Sequence, residues 1–464
     1  MGHLPRKGTD LHVSNAATTT DWRNWSGTQS CRPGQVHQPS DAAEIAAIVN
    51  RAVAEGSTVR PLGAGHSFTP VACTDGHRVQ LDRMGGVVGV DDSGTGEGPT
   101  GRSVTVRAGT RLRDLPGMLG PAGLAVANQG DVDPQSVAGA VSTGTHGTGL
   151  GYTGFAGMVR GFRIVGADGV ERHATAGAGG VEGELFRLAR LGLGAFGVVT
   201  ELTLDAVPAF RLIADEHPED FDEVRRTFPE RVAGVDHMEF YWFPGTDVAL
   251  VKENTRLPGT EGARTPTRME RAKEFIAEEA INNAGLLAMC EAARIAPKLT
   301  KGLNTFAAKT VSRRRYVDDA HRVFVSPRRV RFSEMEYAVP LEALPEVLAE
   351  VRDTIDRHRA WVSFPLEIRA AKADDVALST AYGRDSAYIA VHRYHREAYA
   401  DYYRLLEPIF LAAGGRPHWG KLHTLGADQL RGRYPLFDEV AALRREVDPT
   451  GVFLNEHLRD LFGA

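Results

Sequence analysis

Glu367 and Arg369 stand two residues apart in Leu366-Glu367-Ile368-Arg369, an alternation of apolar and charged side chains that reads as a strand. A period of two puts both charged groups on one face. A carboxylate beside a guanidinium can bind the hydroxyls of a polyol or lactone, each partly neutralising the other. On an open sheet face the same pair would be a solvated ion pair that contributes little. Lys421 follows a Trp-Gly turn in Pro417-His418-Trp419-Gly420-Lys421. It either extends to solvent along its apolar stem or brings a positive charge to a site. His392 closes the apolar run Ile389-Ala390-Val391, where a histidine reads by default as a satisfied core residue. Residues 59–70, VRPLGAGHSFTP, read as a strand running into the turn Gly63-Ala64-Gly65, followed at once by His66 and Ser67. Glycines on either side of a small residue permit positive φ and a close backbone approach to a ligand. Successive amide N–H groups in such a turn suit a pyrophosphate.

The elements around these residues alternate between helix and strand up to about residue 205. Ser40-Asp41 caps a helix over 42–55, with Ile45, Ile48, Val49 and Val53 at helical spacing. It leads into the strand before the glycine turn. Residues 79–90 read as strand with a turn at Gly85-Gly86, 91–102 as a surface loop, 103–108 as strand, 111–118 as a short helix and 124–127 as strand. Residues 130–151, GDVDPQSVAGAVSTGTHGTGLG, are rich in Gly, Ser and Thr yet contain Val137, Ala138, Ala140 and Val141. A flexible linker has no need of those apolar residues; a segment lying against a large polar ligand does. Strands are expected at 162–165 and 198–204, a helix at 185–190, and a close-packed turn at Gly192, Gly194 and Gly197.

From Ala206 the pattern changes. Residues 210–214 and 237–243 read as strands of a new sheet, the second ending in the aromatic cluster HMEFYWF. Those aromatics read mainly as core, with Tyr241 or Trp242 as the ones that could line a sugar pocket. Residues 264–309 read as helical, with Phe275, Ile276, Ala280, Leu287 and Cys290 forming a packing face rather than a membrane anchor. A strand at 334–339 and an amphipathic helix at 341–358 follow.

The chain has 464 residues, 42% hydrophobic and 24% charged, with a net charge of −5. That length predicts more than one domain, and the acidic balance argues against a nucleic-acid partner. Arg313-Arg314-Arg315 and Arg328-Arg329 read as solvated or paired with acids. Three cysteines, Cys31, Cys73 and Cys290, are too few and too scattered for a disulfide framework or a zinc site, so no metal is expected. No secretory signal and no run long enough to span a bilayer is apparent. A cytoplasmic protein is expected, with peripheral membrane contact left open.

The stretches Pro61-Leu62-Gly63-Ala64-Gly65-His66-Ser67 and Gly139-Ala140-Val141-Ser142-Thr143-Gly144-Thr145-His146-Gly147 together resemble the FAD-binding half of the vanillyl-alcohol oxidase superfamily. Within it, the chain is most similar to the aldonolactone and alditol oxidoreductases, such as D-arabinono-1,4-lactone and L-gulonolactone oxidases. Glu367-Ile368-Arg369, His418-Trp419-Gly420-Lys421 and Asp448-Pro449-Thr450-Gly451-Val452-Phe453-Leu454-Asn455 extend the resemblance over most of the chain.

The resemblance implies an α+β, two-domain FAD-binding fold of the PCMH type with an α+β cap. The expected division is a tail at 1–20, a FAD-binding domain at 21–205, a substrate-binding cap at 206–424 and a C-terminal segment at 425–464 that returns to the FAD domain. It implies FAD bonded through its 8α-methyl group to His66, as a single link, because 130–151 holds no cysteine. The implied cofactor contacts are Pro61, Gly63, Ala64, Gly65, His66, Ser67, Gly139, Ser142, Thr143, Gly144, Thr145, His146, Gly149, Gly197, Val199, His418 and Lys421. Glu367, Arg369 and Lys421 are the implied catalytic residues, with Ser142 and His392 as further substrate contacts. Arg393 and Tyr394 stand where alditol-specific relatives differ. Val141 is the candidate gate for oxygen, since the electron acceptor is either oxygen or a cytochrome or quinone. The expected activity is oxidation of a sugar lactone or polyol. The alternatives are alditol oxidation, tailoring of a secondary metabolite, or flavin binding without turnover.

Overall fold

The structure is a computed structural model that describes residues 21–94, 100–258, 283–326 and 328–463. The expected tail, and Phe275, Ile276 and Ala280 of the expected helical stretch, lie outside the described residues.

The N-terminal half holds two small sheets. Gln35–His37, His77–Gln80 and Val59–Leu62 form a parallel sheet in that spatial order. The helix Ala42–Ala54 packs on it, its N-terminus capped by the Asp41 carboxylate, which accepts from the Glu44 amide. A five-stranded antiparallel sheet runs Glu171–Thr175, Val159–Val165, Val198–Asp205, Ser103–Arg107, Val87–Asp91. Residues 79–90, read as one strand with a turn, are therefore split between two sheets. The Gly85-Gly86 turn is where the chain leaves one layer for the other. The expected strand at 124–127 is two residues long, Leu124–Ala125, paired with Val207–Pro208.

The other half is organised on an antiparallel sheet of eight strands, in the order Arg314–Asp319, Phe210–Asp220, Val248–Pro258, His237–Trp242, Leu366–Ala371, Ser386–Tyr394, Phe332–Pro340, Arg416–Pro417. Its central strands alternate strictly. Met238, Phe240, Trp242, Leu366, Ile368, Met335, Tyr337, Ile389 and Val391 point to one face. There they form a core with the helices Phe221–Gly234, Leu344–His358 and Ala400–Ala412. The opposite face carries Glu239, Tyr241, Glu334, Glu336, Glu367, Arg369 and His392, all buried. A sheet covered on one side only would wet that second face; here it is buried too.

The C-terminal helices Ala427–Arg431, Phe437–Val447 and Glu456–Phe462 pack into the core of the N-terminal half, together with Val376, Ala377, Leu378 and Trp419. Arg60 ties this return in place. Its buried guanidinium donates to the carbonyls of Val71, Leu193, Gly194 and Phe453 at 2.6–2.9 Å.

Candidate active site

Two cavities meet in the middle of the molecule. They enclose about 840 and 850 Å³, partly open to solvent. The first has walls of glycine and small residues. Pro61, Gly63, Ala64, Gly65, His66, Ser67, Gly139, Ser142, Thr143, Gly197 and Val199 all line it. Gly65 takes φ +71°, which a side chain resists. A Cβ on Gly63 would fall 2.5 Å from Ser136 Oγ, and one on Gly139 3.0 Å from the same atom. Two backbone segments thus close on each other where no side chain fits, and both line the first cavity. This cradle fits a large dinucleotide such as FAD, with its wall built from main-chain groups.

The glycine stretch itself contains a helix, Val137–Thr143, capped by Ser136, whose Oγ accepts from the Gly139 amide at 3.2 Å. Helical spacing sorts its residues. Val137, Ala140 and Val141 are buried in the core, whereas Ala138, Gly139, Ser142 and Thr143 face the first cavity. Val141 lines neither cavity, because its branched side chain points into packed core, so the structure does not support it as the oxygen gate. Ser142 lines the first cavity and not the second. Gly144 ends the helix at φ +83° and borders a separate small hollow. Gly149 lies on neither cavity. Its N–H donates to the Ala370 carbonyl at 2.8 Å, joining the glycine stretch to the large sheet.

The second cavity is charged. Thr145, His146, His418, Lys421, Glu367, Arg369 and His392 line it, and so do Asp131, Arg328, Glu334 and Glu336. His66, Ser67, Gln135 and Thr143 line both cavities. Arg369 pairs with Glu367, donates from Nε to Glu239 at 2.8 Å and lies 3.5 Å from Asp131. Arg328 pairs with Asp131. Lys421 pairs with Glu334 and sits 5.0 Å above the Phe68 ring. His146 Nε2 lies 3.0 Å from Glu336 Oε1. His392 Nδ1 donates to the Pro365 carbonyl at 2.9 Å, turning Nε2 toward Glu334 at 3.7 Å.

These neighbours set the charges. Burial pushes His66 down to about 4, and the Lys421 cation adds to that, so its imidazole is neutral. Burial raises Glu367 to about 7, and the Asp131 and Glu239 carboxylates oppose the lowering effect of Arg369. Burial alone would lower Lys421, but Glu334 and Glu336 outweigh it and hold the ammonium above its ordinary value. The arrangement binds hydroxylated ligands through many donors and acceptors, and it offers fixed cations to an oxygen gaining negative charge.

Several placements differ from the sequence reading. Arg328, read as a surface or paired residue, is paired inside the site. Tyr241 is buried behind Glu367, its hydroxyl 3.0 Å from Oε1, while Trp242 stacks on Phe221 in the core. Arg393 and Tyr394 turn away: Arg393 faces Glu397 at 3.4 Å, and the Tyr394 hydroxyl donates to Glu291 at 2.6 Å. Neither lines the pocket. Asp131, Glu239, Glu334 and Glu336 were missed. The available signal was the acid-apolar-acid alternation of Glu334-Met335-Glu336 between aromatic and β-branched residues.

Residues 202–461 match the family described as D-arabinono-1,4-lactone oxidase, and residues 33–175 match the one described as FAD binding domain. An L-gulono-1,4-lactone dehydrogenase of Mycobacterium tuberculosis is 39% identical over 95% of this chain and 99% of its own. An alditol oxidase of a Streptomyces species is 32% identical over 94% of this chain and 98% of its own. Among solved structures, cholesterol oxidase from B. sterolicum shares the fold, with a TM-score of 0.79 at 18% identity and full coverage of both chains.

Proposed function

Because this chain belongs to the D-arabinono-1,4-lactone oxidase family, we propose that it is an FAD-dependent oxidoreductase that oxidises a CH–OH group of a sugar-derived lactone or polyol. The observation that carries this reading is the shared wall of the two cavities. His66, Ser67, Gln135 and Thr143 join a glycine-lined cradle to a pocket of buried acids and bases. When bound, FAD supplies the hydride acceptor. The chain's own residues bind and orient the substrate. Glu367 and Arg369 hold adjacent hydroxyls from one strand face. Lys421, fixed by Glu334 and Phe68, polarises the oxygen of the carbon being oxidised.

His66 is the proposed covalent anchor of the flavin. Its place at the junction and its neutral ring, with a nitrogen lone pair free to bond, support that reading. The acceptor that reoxidises the flavin is oxygen, a cytochrome or a quinone; the relatives' names include both a dehydrogenase and an oxidase. A peroxide assay run beside a dye-reduction assay separates these.

The test is direct. Purified protein should be yellow, and anaerobic addition of a lactone or alditol from a broad panel should bleach it. Colour that persists with every member of the panel overturns the activity. Colour should survive acid precipitation in the wild type and be released from His66→Ala; release from the wild type overturns the anchor alone.

A further inference from the structure

Tyr241 lies on the strand His237–Trp242, directly opposite Glu367 in the register of the large sheet. Its hydroxyl is 3.0 Å from Glu367 Oε1 and 3.0 Å from Glu239 Oε1. A phenol carries one proton, so it donates to one of these carboxyls only. The second contact is a hydrogen bond only when the other carboxyl is protonated and donates to the phenol oxygen. Glu239 is not that carboxyl. Arg369 touches both carboxyls, but only Glu239 also has an ammonium of its own, with Lys252 Nζ 3.7 Å from its Oε1, so Glu239 is the ionised one and accepts from Tyr241. Glu367 shares Arg369 with Glu239 and Asp131, and Arg328 is 3.9 Å from its Oε2. Lys252 compensates Glu239, so Glu367 and Asp131 are left to share Arg328 and Arg369; the phenol contacted by two carboxyls, not a count of charges, places the proton on Glu367. Of the three linked groups Glu367, Tyr241 and Glu239, only Glu367 lines the charged cavity. Glu239 leads away from it toward Lys252.

We propose that Glu367, Tyr241 and Glu239 form a proton path out of the charged pocket, with Tyr241 as its positioning residue. The path rests on the oxidation proposed above. As the hydride leaves the substrate carbon with its electron pair, the hydroxyl O–H bond breaks and its proton passes to Glu367 Oε2. Glu367 Oε1 gives its own proton to the Tyr241 oxygen, and the Tyr241 proton passes to Glu239 Oε1. One proton enters from the pocket and one arrives beside Lys252, with no net charge left on Glu367 or Tyr241.

Tyr241→Phe removes the single oxygen in question. The groups facing Glu367 are Arg369 from its own strand, Tyr241 and Glu239 from the paired strand, Asp131 from the glycine stretch and Arg328 from the loop before Phe332–Pro340. Infrared spectra of the resting holoenzyme below the Glu367 midpoint of about 7 should show a carboxylic-acid C=O band that Glu367→Gln removes. Tyr241→Phe should shift that band upward, because the acid loses its acceptor. Anaerobic flavin bleaching should slow about 10²-fold, with an altered solvent isotope effect and a pH midpoint moved downward. The substrate concentration for half-maximal bleaching should change little. Glu239→Gln, which blocks the outward end, should slow bleaching in the same way. Absence of the band, or unchanged bleaching and isotope effect in Tyr241→Phe, overturns the path. If no lactone or alditol bleaches the wild type, the activity reading fails, and the infrared band still decides whether Glu367 is an acid resting on Tyr241.

Discussion

Lys421 is only partly exposed, yet it keeps its charge because two carboxylates face it, Glu334 in direct contact and Glu336 nearby. Its ammonium is thus a fixed cation in a desolvated pocket, where such a charge acts most strongly on a developing alkoxide. Lys421→Ala should retain flavin and slow its reduction by about 10²–10³-fold. Rapid-mixing bleaching under anaerobic conditions measures this, and an unchanged rate removes Lys421 from the chemistry. His66, Glu367, Arg369 and Lys421 were singled out in the sequence through the family resemblance of their motifs; by local pattern alone the Glu-x-Arg pair reads as a solvated ion pair and Lys421 as a side chain reaching solvent. Asp131, Glu334 and Glu336 were not singled out. An acid on an alternating strand usually faces water, and nothing local says that a second domain covers it.

At the scale of elements, the cradle depends on two turns that meet where no Cβ fits. Gly63→Ala should press on Ser136 Oγ, 2.5 Å away, and disturb the cap of the helix Val137–Thr143. Loss of such a cap costs about 1 kcal/mol. The measurement is the ratio of flavin to protein absorbance after purification, which should fall. Gly117→Ala, where an added Cβ meets nothing within 4 Å, serves as the control and should leave it unchanged. Both glycine stretches stood out in the sequence, but the helix inside the second did not. Glycine and β-branched residues disfavour helix, and here capping and burial of Val137, Ala140 and Val141 override that preference. The helix also decides that Ser142 faces the cavity while Val141 does not.

At the scale of the molecule, one arginine ties the layers together. Arg60→Met would leave the carbonyls of Val71, Leu193, Gly194 and Phe453 without their donor. Each buried orphan costs about 1 kcal/mol or more, so Tm should fall by about 5 °C or more, read by calorimetry. Acid should also destabilise the fold. Burial holds His237 and His423 near 4 and His418 near 3, against an ordinary value of 6.5. The unfolded chain therefore binds protons that the folded chain refuses as pH falls from 6.5, and stability drops over that window. Below it, Asp131 and Glu336 extend the loss; burial opposes their ionisation, but Arg328 and His146 respectively outweigh it and hold them well below the carboxylate range. Glu367 works the other way: raised to about 7, it stabilises the fold at low pH and loses that contribution as pH rises through 7. Burial likewise raises Asp374 to about 6, which also favours the fold at lower pH, but it holds His37, His66 and His457 near 4 as well. The depressed histidines outnumber the raised acids, so Tm should decline from pH 6.5 toward 4; a flat or rising Tm contradicts this.

Alternation, helical spacing and glycine turns are local, so the chain by itself determined most of its strands and helices, its two glycine stretches and the Glu-x-Arg pair, though not the helix Val137–Thr143. Which face of the large sheet became the site is not a local property. Both faces of the central strands are buried, one by helices of its own half and the other against the glycine-walled half. Only that second contact converts a row of ordinary strand acids into coupled groups with shifted charge. It also sets Tyr241 between two carboxyls, because cross-strand register and the packing of distant segments, rather than neighbours in sequence, decide which side chains share a proton.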